Sequence, residues 1–308
     1  MKLQGIKKFL DFVEIQTKLA TIMPSLAGLA YVFYTFGTIN VHSMGIYFIA
    51  AFFLDMSVTA INNHMDMRED KDQTPHYRTL TSWLIIGVML LIFSAFGAYL
   101  AWLHGLTVFL AGALCLLIGV CYTFGPAPIS KSPYGELAAG FVTGTMIMFI
   151  VVSINSPEFQ PLGLDFDMTE KRLLMDIDII GLATFVLITL PVAFCTANIL
   201  LANNICDEEK DRKFRYTLVH HIGRKNALYL FAALACGSYL CIILGIIIGA
   251  LPIWCVLVLV TIFPVRKNIK RFFEKQEKRT TFSLSIKNFM LITLVYALSM
   301  VLGGILAS

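Results

Sequence analysis

Residues 178–211 read DIIGLATFVLITLPVAFCTANILLANNICDEEKD. Between Asp178 and Asp207 the stretch carries no charge, and its apolar run, 178–203, is long enough to cross a bilayer, which takes roughly 17–25 residues. It runs directly into Asn203-Asn204-Ile205-Cys206-Asp207-Glu208-Glu209-Lys210-Asp211. In lipid, backbone polar groups must pair within the chain, so the run is expected as a helix. The same juxtaposition occurs earlier. The apolar run 45–62 leads into Asn62-Asn63-His64-Met65-Asp66-Met67-Arg68-Glu69-Asp70. Both strings have the form N-N-x-x-D-x-x-x-D, offset by 141 residues, and each closes an apolar run.

Composition extends that reading to the whole chain. Of 308 residues, 57% are hydrophobic and 14% charged, against about 45–50% and about 25% in soluble domains. Mean hydropathy is +0.76. A soluble core could not hide so much apolar surface, and a disordered chain would not carry it. Nine apolar runs can be marked: 19–40, 45–62, 81–103, 105–124, 136–155, 178–203, 227–248, 251–265 and 286–306. An all-α integral membrane bundle of nine spans is expected. Pro24, Gly28, Gly140, Gly144, Pro191 and Gly237 inside the runs fit close helix packing or local kinks. The eighth run is short and bounded by Pro252 and Pro264.

Charge gives the orientation. Counted over alternate loops, 22 of the 24 Lys and Arg fall on one side, and only Lys171 and Arg172 on the other. The positive-inside rule places the N-terminus in the cytoplasm and the C-terminus outside. The net charge of +4 sits in short blocks rather than on a basic face, so no nucleic-acid partner is expected. The outer segment Ser156 to Asp176, with Pro157, Pro161 and Gly163, reads as an irregular surface loop. The seven cysteines form no CxxC pair and read as small buried hydrophobes. No cleavable signal peptide is expected at the N-terminus.

The acidic spacing carries chemistry. Residues three and four apart share a helix face. Asn63, Asp66 and Asp70 can therefore point together, as can Asn204, Asp207 and Asp211. Carboxylate pairs at one membrane face repel unless something positive joins them. Mg²⁺ suits the position, because it takes one or two carboxylates plus phosphate oxygens. Arg78 and Arg215 follow the two motifs, Lys131 lies between the fourth and fifth spans, and Lys18 stands at the entry to the first. All four are candidates for gripping a diphosphate. Acids at span ends differ from the midplane acids of transporters, and Asp55 is the one acid clearly inside a run. His64, His76, His220 and His221 read as solvated loop residues, and no general base stands out.

Three stretches carry a family resemblance. One is Leu201-Ala202-Asn203-Asn204 through Asp207, Asp211 and Thr217-Leu218. Another is Tyr122-Thr123-Phe124-Gly125-Pro126-Ala127-Pro128, then Gly135-Glu136. The third is Glu14-Ile15-Gln16-Thr17-Lys18 leading to Pro24. With the two acidic motifs, they make the chain resemble the UbiA superfamily of intramembrane prenyltransferases, and within it the MenA branch, the 1,4-dihydroxy-2-naphthoate polyprenyltransferases. The sequence departs from the superfamily's usual Asn-Asp-x-x-Asp at Asn63, and Asn204 stands where many relatives have Asp. The last acid of the first motif is Asp70 or Asp72.

The resemblance implies one transmembrane domain over residues 1–308, a nine-helix bundle with a central cavity. Loops 62–80 and 203–226 would form its cytoplasmic cap. It implies Mg²⁺ held by Asp66, Asp70 or Asp72, Asp207 and Asp211, with Asn62, Asn63, Asn203 and Asn204 adding neutral ligands. Tyr122 and Phe124 are candidates to face an allylic cation. The implied reaction joins a polyprenyl diphosphate to dihydroxynaphthoate with loss of CO₂, a step of menaquinone biosynthesis in a bacterial cell membrane. Other acceptors that fit the motifs are 4-hydroxybenzoate, a porphyrin and a glycerol phosphate.

Overall fold

The computed structural model describes residues 2–69, 77–156, 161–167, 171–212 and 214–307. The apolar runs fold as helices, since a backbone in lipid has no water to bond. In chain order they are α1 (Lys2–Phe12), α2 (Leu19–Phe36), α3 (Val41–Glu69), α4 (Thr79–His104), α5 (Leu106–Thr123), α6 (Gly135–Ala139), α7 (Ile147–Asn155), α8 (Ile179–Asp211), α9 (Leu218–Ile222), α10 (Arg224–Ile247), α11 (Ile262–Glu274) and α12 (Phe282–Ala307). A π-helical stretch, Gly140–Met146, joins α6 to α7 in one span.

Among the described residues, seven helices are long and apolar enough to cross a membrane. The first run supplies a shorter apolar helix, Thr21–Phe36. The eighth begins as a 3₁₀ helix, Ile253–Thr261, after Pro252, and continues into α11. A count of nine crossings therefore rests on these two shorter elements.

Two helices are longer than a bilayer needs. α3 has 29 residues and α8 has 33, so they measure about 43 and 50 Å at 1.5 Å per residue. The hydrocarbon core is about 30 Å thick. Both Asn-Asn motifs lie in the last turns of these two long helices. α4 shows how the bundle meets lipid. Leu80, Leu84, Val88 and Leu91 form an exposed apolar stripe, while Ser82, Ile86 and Met89 are buried on the opposite face. Burial of apolar surface against water does not drive this packing; van der Waals contact, helped by small residues, and interhelical hydrogen bonds do.

α8 is the central post and packs against α10, α12 and the π-helical stretch. A Cβ on Gly144 would stand 2.3 Å from the Ala193 Cα, and one on Gly140 would stand 2.8 Å from the Ala193 carbonyl oxygen. Only glycine allows the two backbones this near. Pro191 interrupts the α8 ladder, and Ser238 of α10 donates to its carbonyl at 3.2 Å. Tyr296 of α12 donates to Ile188 O at 2.9 Å.

The outer segment departs from the irregular loop that its prolines suggest. Strands β1 (Leu162–Asp167) and β2 (Arg172–Ile177) pair antiparallel, with Leu162 opposite Ile177 and Asp167 opposite Arg172. Leu162, Leu164 and Phe166 alternate with Gly163, Asp165 and Asp167, the period-two pattern of a strand. Leu164 N donates to Thr107 Oγ1 at 3.0 Å, which pins the hairpin to the start of α5.

Gly144→Ala should cost about 1–3 kcal/mol, as overpacking typically does, and lower the Tm of the purified protein in detergent. Gly87→Ala, where nothing lies within 4 Å of an added Cβ, should leave Tm unchanged or slightly raised. Equal Tm values for the two variants would contradict the close α8 crossing.

Candidate active site at the ends of α3 and α8

The surplus turns of α3 present Asn62 and Asp66. Asn62 Nδ2 donates to Asp66 Oδ2 at 3.2 Å, and Thr123 Oγ1 at the end of α5 donates to Asn62 Oδ1 at 2.9 Å. The other oxygen, Asp66 Oδ1, accepts from Arg215 Nη2 at 2.7 Å. Arg215 lies just past α8, and its backbone N–H donates to Asp211 O at 2.8 Å. One arginine thus ties the first motif to the end of the second. Tyr216 N–H donates to Lys131 O at 3.0 Å, which draws the α5–α6 connection onto the same corner.

On α8, Lys278 from the α11–α12 connection donates to Asp207 Oδ2 at 2.5 Å and also to Asn203 Oδ1. The two motifs divide their labour alike. Asn62 and Asn203, four residues before Asp66 and Asp207, join the acid side of each helix. Asn63 turns away and donates to Phe12 O of α1 at 3.0 Å. Asn204 is buried and donates to Glu136 Oε1 at 2.8 Å. In a 3.6-residue helix, positions four apart differ by about 40° and positions three apart by about 60°, so either asparagine could join the acid, and the partners on other helices draw Asn63 and Asn204 away. This corrects the grouping of Asn63 with Asp66 and of Asn204 with Asp207. It also explains the departures from Asn-Asp-x-x-Asp. An aspartate at 63 would face a carbonyl oxygen, and one at 204 would face a carboxylate; neither could donate.

Beneath the motifs lies a cavity of about 680 Å³, lined among others by Asp55, Thr59, Phe93, Tyr122, Thr196 and Asn203. Its size is ordinary for a small-molecule site, and its wall is mostly apolar. One charged group interrupts the wall. Lys18 is buried, and its ammonium meets Asp55 Oδ1 at 3.1 Å and Thr59 Oγ1 at 2.6 Å. Thr21 Oγ1 donates to Asp55 Oδ2 at 2.7 Å. Asp55 precedes Asp66 by 11 residues on α3, about 16 Å along the axis. Lys18, expected among the diphosphate ligands, is therefore buried behind Asp55, the charged residue of the cavity wall, which neutralises it.

The remaining candidates are placed as follows. Asp70 and Asp72 lie outside the described residues, as does His76. Arg78 is exposed at the start of α4 and, among the described residues, pairs with no carboxylate of the site. Tyr122 lines the cavity, whereas Phe124 packs edge-on against Trp83 at 5.6 Å between centroids. His220 is structural: it closes a capping box with Thr217 at the start of α9, and its Nε2 bonds Glu208 O at 2.9 Å. Sequence reasoning missed Lys278, Thr123 and the partnership of Lys18 with Asp55. Only Asp55 carried a signal, as an acid inside an apolar run.

The donor set suits Mg²⁺. Among the described residues no three His, Cys, Asp or Glu side chains gather closely enough to hold a metal alone. Asp66 and Asp207 each present oxygens now met by a protein cation. One or two carboxylates completed by phosphate oxygens is the way Mg²⁺ is usually bound.

Asp55→Asn should leave the Lys18 ammonium buried without its counter-charge. The loss should reach a few kcal/mol, toward the low end of the roughly 3–5 typical of a broken buried pair, because Asp55 borders the cavity. The double variant Lys18→Met with Asp55→Leu should regain most of it. Equal destabilisation of single and double variants in thermal unfolding would contradict the pairing.

Comparison with known proteins fits this geometry. Residues 21–302 match the UbiA prenyltransferase family. A 1,4-dihydroxy-2-naphthoate octaprenyltransferase from Bacillus subtilis (strain 168) is 31% identical over 168 residues, covering 54% of this chain. The match spans 47% of that relative, about half its length. The apo UbiA homolog from Aeropyrum pernix K1 superposes with a TM-score of 0.67 at 16% identity, over 92% of this chain and 98% of that one. The UbiA homolog from Archaeoglobus fulgidus, solved with GPP and Mg²⁺, gives 0.66 at 14% identity, over 96% and 99%. The chain belongs to the UbiA prenyltransferase family.

Proposed function

We propose that the chain moves a polyprenyl group from its diphosphate to 1,4-dihydroxy-2-naphthoate at the mouth of this cavity, giving a demethylmenaquinone in its reduced, quinol form. The observation that carries this is the joining of the two acidic helix ends, through Arg215, above an apolar cavity. The Bacillus subtilis relative supports the acceptor. The Archaeoglobus fulgidus homolog, which holds GPP and Mg²⁺, supports the donor and the metal.

Asp66 and Asp207 would hold Mg²⁺, with Asp211, Asp70 or Asp72, and the amide oxygens of Asn62 and Asn203. Bound Mg²⁺ would supply positive charge to the departing diphosphate. Arg215 stands beside Asp66 and would turn its remaining donors to the phosphate oxygens, a bidentate geometry that guanidinium favours. Lys131 and Arg78 would add charge from neighbouring loops.

As the C–O bond of the donor breaks, the Tyr122 ring would face the allylic cation. The apolar wall keeps water from capturing it. Thr21, Asp55 and Thr59 are the polar groups deeper in the wall and would orient the acceptor's oxygens, with Lys18 behind them balancing the Asp55 charge. The ring carbon bearing the carboxylate then bonds the prenyl carbon. The electron pair of the breaking C–CO₂ bond restores the aromatic ring, so no proton need leave carbon and no general base is required. With 22 of 24 basic side chains on one side, the catalytic face would be cytoplasmic, the N-terminus inside and the C-terminus outside a bacterial cell membrane.

Asp66→Ala and Asp207→Ala, each in lipid nanodiscs with Mg²⁺, should lower prenyl transfer about 100-fold or more, the scale of losing one preorganised electrostatic group. Near-normal turnover in either folded variant would remove the metal reading. Mass spectrometry of the product should find a prenylated naphthoquinol and one CO₂ per diphosphate released. Preferential turnover of 4-hydroxybenzoate would reassign the acceptor.

A further inference from the structure

We infer that Lys278 is the resident counter-ion of the second acidic motif: it occupies the Asp207 and Asn203 oxygens when no metal is bound, and yields them to metal to grip the donor's diphosphate. This rests on the metal reading of those two residues under Proposed function.

The placement is specific. Lys278 Nζ meets Asp207 Oδ2 at 2.5 Å and also Asn203 Oδ1, 71 and 75 residues away in sequence. Its ammonium lies 5.2 Å from the centroid of the Phe282 ring, which lines the cavity. The cation therefore stands at the rim of the cavity.

The segment that carries it is braced independently of the site. Glu277 N–H donates to Thr281 Oγ1 at 2.8 Å, and Thr280 Oγ1 donates to Glu277 Oε2 at 2.9 Å. Lys275 Nζ lies 2.8 Å from Glu277 Oε1. Gln276 Nε2 donates to the carbonyls of Phe272 and Phe273 at 2.7 and 2.9 Å. Hydrogen bonds from Lys275 and Thr280 hold the Glu277 carboxyl below its usual range. That acid is thus engaged by its own loop, and the nearest carboxylate left to Lys278 is Asp207.

The two cations guarding the motifs differ in a useful way. Arg215 is fixed by its backbone bond to Asp211 O and is mostly buried. The Lys278 side chain is 47% exposed on a flexible four-carbon stem. An ammonium hydrogen-bonded to Asp207 blocks the approach of Mg²⁺, which needs its ligand oxygens at about 2.0–2.1 Å and would repel the ammonium. A donor arriving with its metal offers Lys278 new phosphate oxygens a short swing away. Metal binding to the substrate-free protein should then be held down by Lys278, and donor binding should be helped by it.

The test uses the full chain in nanodiscs and Mn²⁺ as the probe, with free Mn²⁺ read by electron paramagnetic resonance. Without donor, Lys278→Gln should bind Mn²⁺ about threefold or more tightly than wild type, while Lys267→Gln on exposed α11 should match wild type. With a non-reactive prenyl thiodiphosphate, Lys278→Gln should bind the donor about tenfold more weakly, and Lys278→Arg should recover part of that loss. Unchanged or weaker Mn²⁺ binding in Lys278→Gln, with Asp207→Ala losing Mn²⁺, would overturn the role of Lys278 and leave the metal reading standing. If Asp207→Ala binds Mn²⁺ as wild type does, the metal reading fails and this inference with it.

Discussion

Two partly exposed carboxylates, Asp66 on α3 and Asp207 on α8, are each met by a protein cation, and the candidate site depends on those two pairings. Arg215 bridges Asp66 to the end of α8, and Lys278 covers Asp207 and Asn203. Arg215 arrives on the segment that follows α8 and Lys278 on the segment between α11 and α12. Arg215 thereby links the end of α3 to the segment that leaves α8, above the cavity that Asn203 lines.

The rim matters because of what lies below it. The cavity is bounded mostly by apolar side chains, and its one charged lining residue, Asp55, is neutralised from behind by Lys18. An ion pair in such a wall is expensive unless further hydrogen bonds satisfy it, and Thr21 and Thr59 provide them. α8 supplies both the rim and part of the wall, and its position is set by contacts that only small residues permit. Gly140 and Gly144 bring the π-helical stretch against Ala193, while Tyr296 and Ser238 bond α8 carbonyls. Distant packing is thereby coupled to the spacing of the acids.

Much of this was legible in the sequence because lipid imposes strong rules. Uncharged runs had to be helices, and the repeated Asn-Asn motifs had to sit at helix ends on one face. What the sequence left open depended on long-range contact. The i, i+3 and i, i+4 rules could not decide between Asn62 and Asn63, because Phe12 and Glu136 make that choice from other helices. Lys278 lay unmarked among the basic residues that follow the eighth run. Lys18 read as a candidate diphosphate ligand, since nothing in its neighbourhood revealed Asp55, 37 residues away. The hairpin was hidden by the prolines beside it, although its alternation was present. The 3₁₀ segment Ile253–Thr261 reads as an ordinary apolar run, because hydropathy does not distinguish helix types.

Anomalous diffraction from crystals grown with Mn²⁺ and a prenyl thiodiphosphate tests most directly whether the two helix ends act on one substrate. The account predicts Mn²⁺ peaks within coordination distance of both Asp66 and Asp207, with one diphosphate between them and the prenyl chain in the cavity. Manganese bound to only one of the two helix ends, or a diphosphate seated away from both, would contradict it.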